Sequence, residues 1–197
     1  MNFPVDIGLS LPGSYFESTN QKMIIMKIIP MLLKEMAEEA VTTRKMLSII
    51  PEDKLDWRPH PKSMSLRQLS SHIGELPAWV TMVLNTTGLD FAQNGYTEHN
   101  CPSVSAAIEL FEQGLAGAQA SLEKATEDDL LPDWTLRNGD IIYVTCSRAE
   151  MIRTTFCQLV HHRAQLGVFL RLLDIPIPGS YGPSADEMQV YDLENTH

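Results

Sequence analysis

Cysteine is scarce in this chain of 197 residues: there are three, Cys101, Cys146 and Cys157, and none of them forms a C-x-x-C pair. An odd, widely spaced set excludes a closed disulfide framework within one chain, so the thiols read as reduced. Long apolar runs are missing too. None approaches the roughly 18 residues of a spanning helix, and the opening MNFPVDIGLSLPGSYFE has neither the basic start nor the long apolar stretch of a secretory signal. A cytoplasmic protein with no membrane partner is expected. Clustered positive charge is also absent. The formal net charge is -10, and the scattered Lys22, Lys27 and Lys34 are offset by Glu35, Glu38 and Glu39. Nucleic acid is therefore not an expected partner, because phosphate binding needs gathered Lys and Arg. No internal repeat appears, which excludes solenoids and propellers.

What is present is 44% hydrophobic residues in a length suited to one domain, taken here as 1–197 with an N-terminal arm (1–29) and a C-terminal tail (175–197). Apolar residues at Leu32, Leu33, Met36, Ala40, Met46 and Leu47 predict a first helix over 30–49, with Pro30 in its first turn and Pro51 closing it. Met23 to Ile29 reads either as a short strand or as an extra helical turn bent at Pro30. Ser65 and Gln68 form a capping box that opens a second helix over 66–85, kinked at Pro77 and stopped before Gly88. Ser103 caps a third helix to residue 125, whose Ala107, Gly114, Gly117 and Ala118 allow a neighbour to approach closely. Asn138-Gly139, flanked by β-branched and aromatic residues, signals a hairpin crossing one end. Ser147 and Glu150 make a second capping box, opening a fourth helix from Arg148 to about Leu173 before Pro176 and Pro178. The expected class is all-α, a four-helix bundle with a short β-hairpin between helices three and four.

Two histidines fall on helical stripes. Leu159, His162, Leu166, Phe169 and Leu173 alternate in steps of three and four, as do Leu69, His72, Leu76, Trp79 and Val83. Both imidazoles are thus expected to face the interior. Buried rings need partners for both nitrogens. A divalent ion bridging the helices would serve one nitrogen on each ring; alternatively each ring bonds a carbonyl or carboxylate, with Glu75 one turn beyond His72.

The segments WRPHPKSMSLRQLSSHIGELPAW (57–79) and HHRAQLGVFLRLLDIPIPGSYGPSADE (161–187) resemble the DinB/YfiT-like superfamily of metalloenzymes. The resemblance implies an up-down-down-up bundle, often a homodimer, in which three histidines bind zinc, nickel or a similar ion. It also implies chemistry of the thiol S-transferase kind, with a small-molecule thiol and an electrophile as partners, or hydrolysis. By that pattern His72 and His162 are ligands, and the third position, four residues before His162, holds Gln158. A neutral amide is a weaker ligand than imidazole for either ion. Three outcomes follow: Gln158 coordinates, another group such as Glu75 replaces it, or the metal is lost.

Other residues have two readings each. His60, before the second helix, faces the bundle mouth or orders its loop. Cys157 and His161 make a second i, i+4 pair expected to face away from His72. Arg163 binds an anion or pairs with an acidic residue such as Glu39, and Trp79 walls a pocket or packs the core. The Tyr181 to Glu187 segment covers the site as a lid or docks the chain end onto helix four.

Overall fold

A computed structural model describes residues 27–93 and 99–188. Helix α1 (Ile28–Ser48) begins just before Pro30, so the described end of the ambiguous upstream stretch is the first turn of a helix; the rest of that stretch, and most of the N-terminal arm, lie outside the described residues. Lys27, at its N-cap position, offers no side-chain cap. The exposed amides of Ile28 and Ile29 donate instead to the two carboxylate oxygens of Glu127, at 3.0 and 3.1 Å.

Helix α2 (Leu66–Asn85) starts on the expected Ser65–Gln68 capping box and continues through Pro77. Helix α3 (Val104–Lys124) is capped by the Ser103 hydroxyl, and α4 (Arg148–Leu172) by the Ser147–Glu150 box. The register of cross-helix contacts fixes the directions. On α1 and α4, Glu35 meets Arg153, Glu39 meets Arg163, and Met46 packs beside Gly167, so the two helices run parallel. On α2 and α3, Gly74 lies against Ala107, Gly114 against Pro77 and Ala78, and Gly117 near Thr81, so these also run parallel. Arg44 of α1 bonds Glu112 of α3, while the start of α1 meets Glu127 beyond the end of α3, which makes the pairs mutually antiparallel. The order is up-down-down-up.

Small residues bring α2 and α3 together as expected, though the tightest contact is made by Gly74, on the helix opposite. A Cβ there would sit 2.8 Å from the Ala107 carbonyl oxygen, and one on Gly114 would sit 3.0 Å from the Ala78 nitrogen.

A three-stranded sheet closes one end. Strands β2 (Asp133–Asn138) and β3 (Ile141–Ser147) form the expected hairpin, with its turn one residue further on: Asn138 pairs with Ile141, and Gly139, at φ +59°, enters the Gly139-Asp140 turn. The third strand, β1 (Gly88–Asp90), pairs parallel to β2 and was not expected; three residues are too few to show alternation. Gly88 opens β1, two residues beyond the Thr86 C-cap of α2, and lets it lie against β2, since a Cβ would collide with the Thr135 carbonyl oxygen. Under the sheet, fully buried Trp134 donates its indole N–H to the Thr86 hydroxyl at 2.9 Å and packs with Val83, Leu122 and Ile152. A second apolar cluster, including Leu47, Leu66, Ile73, Phe111 and Leu166, fills the other end.

Between the clusters lies an ion pair. Arg163 on α4, 1% exposed, contacts the Glu39 carboxylate at 2.5 Å, so the ion-pair reading of Arg163 is the observed one. The tail segment docks instead of lidding the histidines. Tyr181 donates its hydroxyl to Glu39 at 2.8 Å and accepts from Arg163 at 3.2 Å, and Arg171 holds Asp186 through both carboxylate oxygens. Residues 185–188 form one helical turn, with the Ser184 hydroxyl accepting from the Glu187 amide.

The Arg171 guanidinium, helped by the Ile177 amide, lowers the Asp186 carboxyl to about 2. Because this folded value lies below the ordinary 3.8, the clasp contributes stability above that pH and loses it as pH falls through about 2. A carboxyl-carbon NMR titration is expected to show Asp186 still ionised at pH 3, and Arg171→Gln to move its titration up toward the ordinary range, with the Ile177 amide still holding it below.

Candidate functional site

The expected stripes are displaced by about one residue. On α2 the buried line runs Leu66, Leu69, Ile73, Leu76, Val80 and Val83, because α2 packs against α3 on one side and α4 on another. His72 and Trp79 therefore sit at the rim, half-buried, rather than in the core. On α4 the polar residue at the centre of the buried face is Arg163; His162, one step round, is half-buried.

From these rims the two imidazoles meet. Their ring centroids are 4.5 Å apart, edge to face at 83°. Each ring is held by the residue three positions on along its own helix. His72 Nδ1 lies 2.6 Å from Glu75 Oε1, and His162 Nδ1 lies 2.9 Å from Gln165 Oε1. Both partners are acceptors, so Nδ1 carries the proton on each neutral ring and the Nε2 lone pair remains for a ligand. Burial lowers the pKa of His162 below its ordinary value; the Gln165 hydrogen bond opposes this, and the neighbouring His72 and His161 add to it. The ring is thus neutral at neutral pH, the form that binds metals.

Glu75, with its side chain 6% exposed, does more than orient His72: its second oxygen lies 4.0 Å from Nε2 of His99. Together with Met64, Gln68, Trp79 and Phe91, these groups line a cleft of about 230 Å³.

The remaining sequence candidates divide. Gln158, the position of the third ligand, is exposed on α4, and among the described residues no three His, Cys, Asp or Glu side chains gather as a metal-holding group. His161 is exposed with its ring 4.9 Å from that of His162, beside the pair rather than turned wholly away from it. Cys157 is exposed, 4.0 Å from the Arg153 guanidinium. His60 accepts the Lys62 amide at 3.1 Å and orders its own loop. Arg163 is committed to Glu39 and Tyr181. Gln165, His99 and Phe91 were not singled out in the sequence, and Gln68 was read only as a helix cap. Gln165 had a signal, since His162-x-x-Gln165 repeats the spacing of His72-x-x-Glu75; His99 and Phe91 come from the α2–α3 connection, where no period marks them.

A helical bundle carrying a paired-imidazole site on its second and fourth helices defines the class. The sequence matches the DinB family over residues 18–196, and the chain belongs to that family. No curated protein matches it. Among solved structures, it is similar to a DinB-like protein of Bacillus cereus (TM-score 0.61, 20% identity, covering 79% of this chain and 100% of that one). It is also similar to the DinB-like YjoA of Bacillus subtilis (0.59, 17%, 76% and 96%). A third is YfiT of Bacillus subtilis (0.59, 12%, 79% and 93%), described as a probable metal-dependent hydrolase with an unusual four-helix bundle topology. At these identities the likeness carries the fold. No helix among the described residues is long and apolar enough to cross a membrane.

Proposed function

We propose that this protein is a metal-dependent enzyme acting on a small molecule, either hydrolysing it or transferring a low-molecular-weight thiol to it. His72 and His162 are the proposed ligands, with zinc or nickel as the ion. The observation that carries the reading is the pair of adjacent imidazoles, ring centroids 4.5 Å apart, with both Nδ1 atoms tied to acceptors, which leaves Nε2 of each as the nitrogen that would take a cation. The donor set fits two ligand positions and leaves the third to Gln158, water or substrate. A divalent ion, when bound, lowers the pKa of a coordinated water or thiol toward neutrality. The chain's own part is to hold His72 through Glu75 and His162 through Gln165, and to offer the adjoining cleft to the substrate.

A non-catalytic small-molecule binder is the second reading, favoured by the exposed position of Gln158. Equilibrium dialysis against zinc and nickel separates the two. One ion per chain is expected, lost in His72→Ala and in His162→Ala, weakened about 10–100-fold in Glu75→Ala through the loosened ring, and tightened in Gln158→His. Protein that stays metal-free after exposure to zinc, nickel and manganese leaves the binding reading standing.

A further inference from the structure

We propose that His161 serves as the third protein ligand of the metal site, in place of Gln158. This assignment completes the pair read above as ligands and rests on that reading. The rings already form a row: the His161 centroid is 4.9 Å from that of His162, which in turn is 4.5 Å from that of His72. Two imidazoles on one zinc ion, each with its nitrogen about 2.0–2.1 Å from the metal, have centroids roughly 5 Å apart. Edge-to-face packing gives similar spacings, so the distances establish proximity, and the donor chemistry decides what the proximity serves.

Helix geometry puts His161 on the correct side. At about 100° per residue, Gln158, His161, His162 and Gln165 fall within about 100° of one another round α4, on one flank. His162 and Gln165 are half-buried there, and His161 and Gln158 are exposed. As observed, no three such side chains gather as a metal-holding group among the described residues. His161 is exposed, and no hydrogen bond among the described residues fixes its ring. Closing onto the ion therefore needs rotation about its own side-chain bonds, a picosecond-to-nanosecond motion for an exposed residue.

The other donors are less well placed. Glu75 lies at the Nδ1 edge of His72, and His99 is 4.0 Å from the same carboxylate, whereas a cation takes the Nε2 edge, which points away. Gln158 offers a neutral amide, a weaker ligand than imidazole for zinc or nickel. The Cys157 sulfur is 4.0 Å from the Arg153 guanidinium, a positive neighbour that disfavours a second cation. With His161, three side chains hold the ion and a fourth position stays open, the coordination of a catalytic zinc.

The test follows the imidazole nitrogens of ¹⁵N-labelled, chelator-stripped protein as zinc chloride is added, with each histidine assigned by its alanine variant. The ring nitrogens of His72, His161 and His162 are expected to change together and to finish at one equivalent, while those of His60 stay unchanged. Competition with a chromophoric chelator is expected to show zinc bound about tenfold or more weakly by His161→Ala, whose exposed position leaves the fold intact. Gln158→Ala is expected to stay within about twofold of the parent. Cys157→Ser, one turn before His161, is expected to leave the His161 response in place.

A His161 ring that stays unchanged at one equivalent, while His72 and His162 respond, overturns the proposal and leaves the two-histidine reading intact. So does a zinc affinity untouched by His161→Ala. A His161 response that disappears in Cys157→Ser also overturns it, by placing the ring in a separate thiolate site. Zinc that moves none of the three rings removes the metal reading itself, and the third ligand with it.

Discussion

Arg163→Ala is expected to destabilise the fold by about 3–5 kcal/mol, the range for removing one partner of a buried ion pair. The side chains of Arg163 and Glu39 are 2% and 11% exposed. One guanidinium nitrogen contacts the Glu39 carboxylate and donates to the Glu39 carbonyl and the Thr43 hydroxyl; another donates to Tyr181. Among the described residues, truncation leaves the carboxylate at the waist of the bundle with the Tyr181 hydroxyl alone to solvate it, and leaves a cavity the length of an arginine. Arg163→Lys is expected to restore little, because one ammonium cannot span Glu39, Thr43 and Tyr181 together. The double replacement Glu39→Gln with Arg163→Met removes both charges and is expected to cost less than Arg163→Ala alone. Urea unfolding monitored by circular dichroism measures all three, and a loss below about 1 kcal/mol in Arg163→Ala would contradict the account.

Gly74→Val carries the second large effect. Ordinary helix propensity would favour replacing this glycine by up to about 1 kcal/mol with the best helix former. The Ala107 carbonyl oxygen, 2.8 Å from the position of the new Cβ, is backbone and cannot turn aside as a side chain would. The helices must separate, at an overpacking cost of about 1–3 kcal/mol, and a β-branched residue gains least from propensity. Gly74 also lies between His72 and Glu75 in sequence, so displacement of α2 carries the site with it. Lower zinc affinity is expected alongside the lower urea midpoint. Gly117→Ala is the contrast: its Cβ would meet only the Thr81 hydroxyl, at 3.4 Å, and is expected to be neutral or mildly stabilising. A stabilised Gly74→Val, or one with unchanged metal affinity, would argue against coupling between the helix contact and the site.

Three of the four helices were legible because their caps are short-range chemistry: Ser65 with Gln68, Ser103, and Ser147 with Glu150 each serve amides three residues away, while α1, which has no such cap, was read from its apolar spacing and Pro30. The family resemblance added the chain direction, which no local pattern contains. Strand β1 was not legible, since its reason for existing is a partner, β2, some 45 residues later. In the site, His72, His162 and Glu75 were found from spacing. What periodicity could not place was their depth. Stripes of three and four leave a freedom of about one residue in rotation, and that one step decides whether His162 or Arg163 occupies the centre of the buried face. Gln158 was named as a substitute ligand from its match to the family pattern, and its exposure on α4 is something that spacing alone does not encode. His99 reaches Glu75 from a connection with no repeating pattern at all.

The carboxylate that finishes α1 arrives late. Glu127 lies 98 and 99 residues beyond the two amides it satisfies, and it is followed directly by the hairpin and α4. During synthesis the first helix therefore emerges well before the carboxylate that caps its leading turn. The cap can close only after three of the four helices have been made, and it ties the start of α1 to the segment that leads into the hairpin.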